Sequence, residues 1–365
     1  MRVTLVVDAL APQLSGIGRY VWELCKRIRT QSDIDDVSYF SNGRFIEDPA
    51  VLLHLSPRIA RRRLPRWLGR RLTNRRLRST LVHGPNFFLP REAESGIITV
   101  HDLSVLRFPE THPAERLRAF ERQFESSLRR ARHVITDTET VRREVIDELG
   151  VAPETVTAIP LGVDSAYRPR PCSEIQTQLK ALGLAPGKYA LCVSTLEPRK
   201  KIADLLRAWR ELPAGLRGST PLVLAGTKGW LNDELHWEIR EGVAAGWLKH
   251  LGFVSEEALP AVYAGASLFL YPSIYEGFGL PPVEAMASGV PVLVASRSCL
   301  PEVCGDAAGY IDPDDVAAFS RAIADALTDA EWRAQSRERG LQRAASFTWD
   351  KCAAQTAQLY RRCAG

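Results

Sequence analysis

Residues 267–296 read SLFLYPSIYEGFGLPPVEAMASGVPVLVAS. SLFLYPS and VPVLVAS are short apolar runs of the kind that form buried strands. Between them lie a glycine loop, a proline pair and the helical run PVEAMAS, which stops at Gly289. Pro281 and Pro282 suit a helix start, and Gly289 suits a left-handed helix end. Strand, helix and strand in this order predict a parallel pair joined by a crossover. The loop EGFG then precedes a helix amino terminus, where backbone amides and the helix dipole favour an anion. Two carboxylates, Glu276 and Glu284, flank that anion site. Carboxylates repel phosphate but accept from hydroxyls, so the pattern asks for a ligand whose phosphates lie between polyols. Ribose, diphosphate and hexose, as in a nucleoside diphosphate sugar, have that layout.

The same alternation extends outward in both directions. TLVVDA (4–9), IITVHD (97–102), HVITDT (133–138) and VTAIPLG (156–162) read as strands, with helices expected around 18–29 and over 114–131. YALCVST (189–195), PLVLAG (221–226), HLGFV (250–254) and AGYIDP (308–313) repeat the pattern, with a helix over 201–212. Residues 165–188 are rich in proline and polar groups and read as a linker. A chain of 365 residues exceeds what one core usually serves. The expected fold is therefore α/β, with two Rossmann-like doubly wound domains facing across a cleft. The expected boundaries are 1–168 and 169–345, with a terminal helix over 346–365. In such sheets ligands sit beyond the carboxyl ends of the strands.

Those ends supply the candidates. Gly16 and Gly18 follow the first strand, but the third glycine of a dinucleotide fingerprint is replaced by Val21, leaving a phosphate-approaching loop or a plain turn. His101 follows IITV and could donate a hydrogen bond to a ligand oxygen. In LEPRKK (196–201), Arg199, Lys200 and Lys201 crowd a helix start, the wrong end for cations unless an anion lies between. The DxD patterns at Asp33–Asp35 and Asp312–Asp314 fall in a polar loop and a helix cap, so no metal site is expected. The seven cysteines are scattered, with no CxxC pair, which fits free thiols in a reducing compartment. No apolar run reaches the roughly 18 residues of a membrane helix, and a cytoplasmic location is expected.

The formal charge of +5 is uneven. Ten arginines and no acid lie between Arg58 and Arg78, among them Arg61, Arg62, Arg63, Arg66, Arg70 and Arg71, with Trp67 interleaved. Contact with an anionic membrane surface is favoured over a solvated basic helix and over nucleic acid; each basic residue near such a surface contributes on the order of 1 kcal/mol.

Taken together, EGFGLPPVEAMASGVPVLVA, LEPRK, SGIGRY, VHD, VITDTETVRREV and IPLGVD resemble, in order, the segments of family 4 retaining glycosyltransferases, which have the GT-B fold. The resemblance covers nearly the whole chain and is strongest over 189–296. It implies that Glu284 binds ribose hydroxyls, Glu276 the donor sugar, and Arg199 and Lys200 the diphosphate. It further implies that His101 contacts the donor sugar, that amides near Gly16 and at Phe278 and Gly279 contact phosphate or sugar, and that Val254 lies near the nucleobase. Many members carry a Gly-Arg pair where this chain has Val193 and Ser194, so the second cation must come from elsewhere. The expected activity is transfer of a hexose, mannose or rhamnose favoured, from a nucleoside diphosphate sugar to a hydroxyl of a lipid-linked or growing polysaccharide. The configuration is retained and no metal or other cofactor takes part, with a GDP-sugar the favoured donor. The alternatives are an epimerase, a phosphorylase, or a non-catalytic membrane-associated assembly partner.

Overall fold

The computed structural model describes residues 1–54, 73–112, 114–227 and 233–364. The arginine-rich candidates Arg61, Arg62, Arg63, Arg66, Trp67, Arg70 and Arg71 lie outside the described residues.

The chain forms two compact units. The first comprises Met1–Val105, Ala114–Gly162 and Thr348–Gly365; the second comprises Leu106–Pro113 and Val163–Phe347. Strands of the first are β1 (Arg2–Val6), β2 (Asp36–Ser41), β3 (Arg44–Ile46), β4 (Leu81–Gly84), β5 (Gly96–Val100), β6 (Ala131–Thr136) and β7 (Val156–Ala158). Their spatial order is β3-β2-β1-β4-β5-β6-β7, parallel except for β3, which pairs antiparallel with β2. The second unit has β8 (Ala190–Val193), β9 (Leu222–Ala225), β10 (Leu248–Gly252), β11 (Leu268–Tyr271), β12 (Val292–Ala295) and β13 (Ala308–Ile311). Its order is β10-β9-β8-β11-β12-β13, with every pairing parallel.

Both orders are those of a doubly wound sheet. The chain starts in the middle, runs to one edge, and returns to build the other half. Helices then cover both faces, so the inner strands bury both sides and read as continuous Val, Ile and Leu runs. Strands β5, β9, β11 and β12 are buried at every residue. In the first unit the faces are filled by Phe40, Ile98, Val100, Phe120, Phe124, Val134 and Val141.

The terminal helix Trp349–Ala364 belongs to the first unit. Its Tyr360 hydroxyl meets His83 Nδ1 at 2.6 Å, and its Asp350 accepts from Arg27 at 2.6 Å. The presumed linker 165–188 instead contains the helix Cys172–Ala181, whose Ile175 and Leu179 are buried one turn apart. The first helix begins earlier than its glycines suggested, at Gly16 rather than 18, because Ser15 caps it by accepting from Gly18 N at 3.1 Å.

A topological switch point lies in each sheet where the chain reverses direction, between β1 and β4 and between β8 and β11. In the second unit, LEPRK follows β8 and EGFG follows β11. The two most informative motifs therefore leave adjacent strands at the place where doubly wound sheets bind ligands.

Candidate active site

The two loops beyond β8 and β11 are tied together by their backbones. Ile274 N donates to Arg199 O at 3.0 Å, and Arg199 Nη1 donates to Tyr275 O at 2.8 Å. Pro198–Lys200 form one tight turn, and Lys201 adopts a left-handed conformation (φ +53°) before the helix Ile202–Arg210. This turn sends Lys200 inward, where it is only 6% exposed.

Lys200 Nζ donates to Glu276 Oε1, and to the Tyr271 hydroxyl at 3.2 Å. The Tyr271 hydroxyl in turn donates to Glu276 Oε1 at 2.8 Å. Arg199 Nη1 lies 3.5 Å from Glu276 Oε2, and its Nε lies 3.2 Å from Glu197 Oε2. Glu197 is held by Thr195 Oγ1 at 2.7 Å. Ser298 fixes the backbone of Glu276 from both sides, accepting from its N–H at 3.1 Å and donating to its carbonyl at 2.8 Å. A compact network of two cations, two carboxylates and three hydroxyls thus sits at the switch point.

Burial works against the charge on Glu276, but Lys200 and Arg199 outweigh it and hold the carboxyl at about 2. Burial and then Arg199 push Lys200 below its ordinary range, while Glu276 works the other way. Burial raises the Tyr271 phenol strongly, and the Glu276 carboxylate adds to this. Tyr271 therefore stays a neutral donor. An ammonium has three N–H donors. Two of those on Lys200 serve Glu276 and Tyr271.

After Glu276 the chain turns at Gly279, which has φ +87° and caps the helix Leu280–Ala287. A Cβ there would meet Leu300 Cδ2 at 2.9 Å as well as demand a left-handed backbone. Pro281 and Pro282 occupy the first turn. Gly289 has φ +73°, and Val290 N bonds back to Ala285 O, closing the helix as expected. Phe278 is buried, edge-on to Phe347 at 5.3 Å. Glu284 lies beyond the first helical turn, so a purely dipole-complementing role does not apply to it. It is 7% exposed, next to the buried Tyr263, whose hydroxyl burial raises and the Glu284 charge raises further. Val254 follows β10 and is half-buried.

The cations at the helix start prove to have protein partners. Lys201 pairs with Asp314 at 2.7 Å and Asp204 at 3.6 Å, and Arg199 and Lys200 face Glu197 and Glu276. The charge mismatch that suggested an anion is thus met in large part by carboxylates. The DxD carboxylates are similarly engaged. Asp312 and Asp314 pair with Arg297 at 2.7 Å, Asp35 with the N-terminal ammonium at 2.7 Å, and Asp33 with Arg361 at 2.9 Å. Asp315 makes the helix cap. Among the described residues no His, Cys, Asp or Glu group of three or more is placed to hold a metal, and no helix is long and apolar enough to cross a membrane.

In the first unit, His101 follows β5 but is 6% exposed, with both ring nitrogens engaged. Nδ1 lies 2.7 Å from Asp137 Oδ2, and Nε2 lies 3.0 Å from Pro85 O. Burial opposes charge on the ring, but Asp137 and the two hydrogen bonds outweigh it and raise its proton affinity. Contact with a sugar hydroxyl therefore requires His101 to exchange a partner. Gly16 is exposed at the first residue of its helix.

The sequence matches two family models, Glycosyltransferase Family 4 over residues 14–167 and Glycosyl transferases group 1 over residues 175–343. It is 37% identical to O-antigen chain mannosyltransferase B of Escherichia coli, across 99% of this chain and 100% of that protein. The chain belongs to the family 4 glycosyltransferases. This glycosyltransferase is also 31% identical to the serotype-specific mannosyltransferase WbdA of Escherichia coli, over 69% of its own length and 32% of that of WbdA. Its fold matches sucrose-phosphate synthase of Thermosynechococcus elongatus with a TM-score of 0.73 at 21% identity, covering 99% of this chain and 98% of that one. The GT-B architecture is thereby shown.

Sequence reading missed Tyr271, Glu197 and Ser298. Tyr271 was available as the last residue of β11, at the edge where ligands bind. Ser298 follows β12 in a left-handed conformation (φ +58°), and nothing in its neighbourhood along the chain announces that it holds Glu276.

Proposed function

We propose that this glycosyltransferase moves a mannosyl residue from a nucleoside diphosphate sugar, GDP-mannose favoured, to a hydroxyl of a growing, lipid-linked polysaccharide, with retention of configuration. The observation that carries this reading is the Lys200–Glu276–Arg199 network at the switch point of the second sheet. Support for mannose and for polysaccharide comes from the full-length relative, whose name states both an O-antigen chain and mannosyl transfer. The same name disfavours an epimerase, a phosphorylase or a non-catalytic scaffold.

In the reaction the bond between the sugar C1 and the diphosphate oxygen breaks. The acceptor oxygen bonds to C1 on the same face, and its proton passes to the departing phosphate oxygen. Negative charge grows on the diphosphate as the sugar becomes cation-like. Arg199 and Lys200 stabilise that charge, with amides at Phe278 and Gly279 beside them. Glu276 accepts from donor-sugar hydroxyls and Glu284 from the ribose, while Val254 lies by the base. His101 contributes once it releases Pro85 O. No metal or other cofactor is required, because the cations are the protein's own. The arginine-rich segment 58–78 holds the enzyme peripherally at the cytoplasmic face of the inner membrane, without nucleic acid.

The test is a panel of GDP-, UDP- and dTDP-sugars assayed for release of free nucleoside diphosphate, with and without acceptor. The proposal expects slow hydrolysis with one donor, accelerated by acceptor. Silence across the panel would contradict it. Salt-sensitive binding to anionic vesicles, lost when 58–78 is neutralised, tests the membrane role separately.

A further inference from the structure

A second groove in the same unit lies away from this network. It has a volume of about 590 Å³ and is lined by Trp237, Trp247, Arg210, Arg217, Glu241 and a run of small residues. That size falls within the range of about 300–1,000 Å³ typical of ligand pockets. The helices Ile202–Arg210 and Asp233–Ala244 run from the carboxyl edge of the sheet to its amino edge, and the groove gathers at their carboxyl ends. Trp247 immediately precedes β10, and the helix Ala214–Ser219 precedes β9. The groove therefore opens at the edge opposite LEPRK and EGFG, on the order of 20 Å away at about 3.3 Å per strand residue plus the flanking loops.

Its lining has an unusual composition. Trp237 presents an indole that is 54% exposed. Trp247 lies against bare Gly242, where a Cβ would come within 2.8 Å of its ring. The Arg210 guanidinium stands 5.7 Å from the centre of the Trp247 ring and pairs with Glu238 at 3.0 Å. Arg217 donates to the carbonyl of Arg210, and Glu241 is exposed. Arg210 is already paired with the buried Glu238, and the remaining charged lining residues, Arg217 and Glu241, are of opposite sign, so little net charge is left for a ligand, which disfavours phosphate, nucleic acid or an anionic lipid. Flat indole surface next to both donors and acceptors is suited to a neutral polyol, whose C–H face packs on the ring while its hydroxyls bond at the rim.

We propose that this groove binds a neutral hexose oligosaccharide, holding the growing chain while its end is extended at the donor site. The inference rests on the polysaccharide reading above. A chain gripped here spans several sugar residues to reach the reacting end, so the groove serves long acceptors and leaves short ones unaffected.

The experiment compares the full-length enzyme with Trp237→Ala and Trp237→Phe, using a mannose disaccharide acceptor and a long mannose-chain acceptor at saturating donor. For Trp237→Ala the expected result is a KM for the long acceptor raised on the order of tenfold, as for loss of one aromatic anchor. Its kcat and its use of the disaccharide should be unchanged, and Trp237→Phe should retain most of the wild-type affinity for the long acceptor. Titration calorimetry with manno-oligosaccharide alone should show binding that Trp237→Ala loses. Equal KM values for the long acceptor in all three proteins would overturn the groove while leaving the transferase reading intact. So would an equal loss on both acceptors, or a change in self-association without a change in oligosaccharide binding. Failure of the wild-type enzyme to transfer to either acceptor from any donor would instead overturn the transferase reading.

Discussion

Replacing Glu276 by Gln removes the carboxylate nearest to Lys200 while keeping the side chain's shape. Lys200, 6% exposed, then keeps only neutral acceptors, the amide oxygen and the Tyr271 hydroxyl at 3.2 Å, with its hydrogen-bonded counter-charge gone. Breaking a buried ion pair by removing one partner costs roughly 3–5 kcal/mol, because the other charge stays buried without compensation. The depression of the Glu276 carboxyl, to which Lys200 and Arg199 both contribute against burial, points the same way. Its carboxyl is held at about 2 against an ordinary 4.5, and at 1.36 kcal/mol per unit this is on the order of 3 kcal/mol. Lys200→Met removes the nearer cation from Glu276 and leaves it Arg199 at 3.5 Å and the Tyr271 hydroxyl at 2.8 Å, a smaller loss of the same kind. The double variant removes both charges and fills the space with a neutral chain, so its loss should fall at least about 2 kcal/mol short of the sum of the single losses. Urea unfolding followed by circular dichroism, with each variant checked for native fluorescence, measures the cycle. The pair also predicts a pH signature. A depressed carboxyl contributes stability that is present above about 4.5 and lost as pH falls through about 2, and Lys200→Met should flatten that fall. Additivity of the two single variants within about 0.5 kcal/mol would show that Lys200 and Glu276 do not act as a buried pair.

Three further outcomes are expected. Gly279→Ala should cost roughly 1–3 kcal/mol, from a left-handed alanine plus the contact with Leu300, whereas Gly43→Ala, at φ +79° with open space around it, should cost only the backbone term of about 1–2 kcal/mol; melting temperatures of the two variants compare them. Burial holds His83 neutral, lowering it from 6.5 to about 3, and His133 to about 4, so stability should be full above about 6.5 and fall as pH drops toward those values, by up to about 1.4 kcal/mol per unit for each group; denaturation at pH 7, 6 and 5 reads the slope, and His83→Gln should reduce it. Tyr271→Phe removes a hydroxyl that donates to Glu276 and accepts from Lys200, and should lower stability by about 1–3 kcal/mol in the same unfolding assay.

The fold was readable where strands bury both faces, since β5, β9, β11 and β12 are then largely apolar runs. The half-exposed edge strand β3 and the short β4, which carries His83, give no such run and were not anticipated. The helix Cys172–Ala181 was hidden because only Ile175 and Leu179 anchor it within a polar, proline-rich context. Within the site, Glu276, Arg199 and Lys200 could be found because each lies directly after a strand on a motif. Their mutual pairing could not, because it depends on β8 and β11 being neighbours although 76 residues separate Lys200 from Glu276. The counterion of Lys201, Asp314, lies 113 residues away and had equally little local signal. His101 was placed correctly at a strand end, yet its two partners, Asp137 and Pro85, come from separate loops and decide its availability.

The central claim is that Lys200 with Arg199 carries the diphosphate of a sugar donor. Its most direct measurement is single-turnover release of GDP from GDP-mannose, with wild type and Lys200→Ala side by side and both shown to be folded. Removing one preorganised donor to a developing anion costs roughly 10²–10³ in rate, or about 3–4 kcal/mol. Loss of that size in Lys200→Ala is the predicted result. Turnover within a factor of a few of wild type would contradict the assignment.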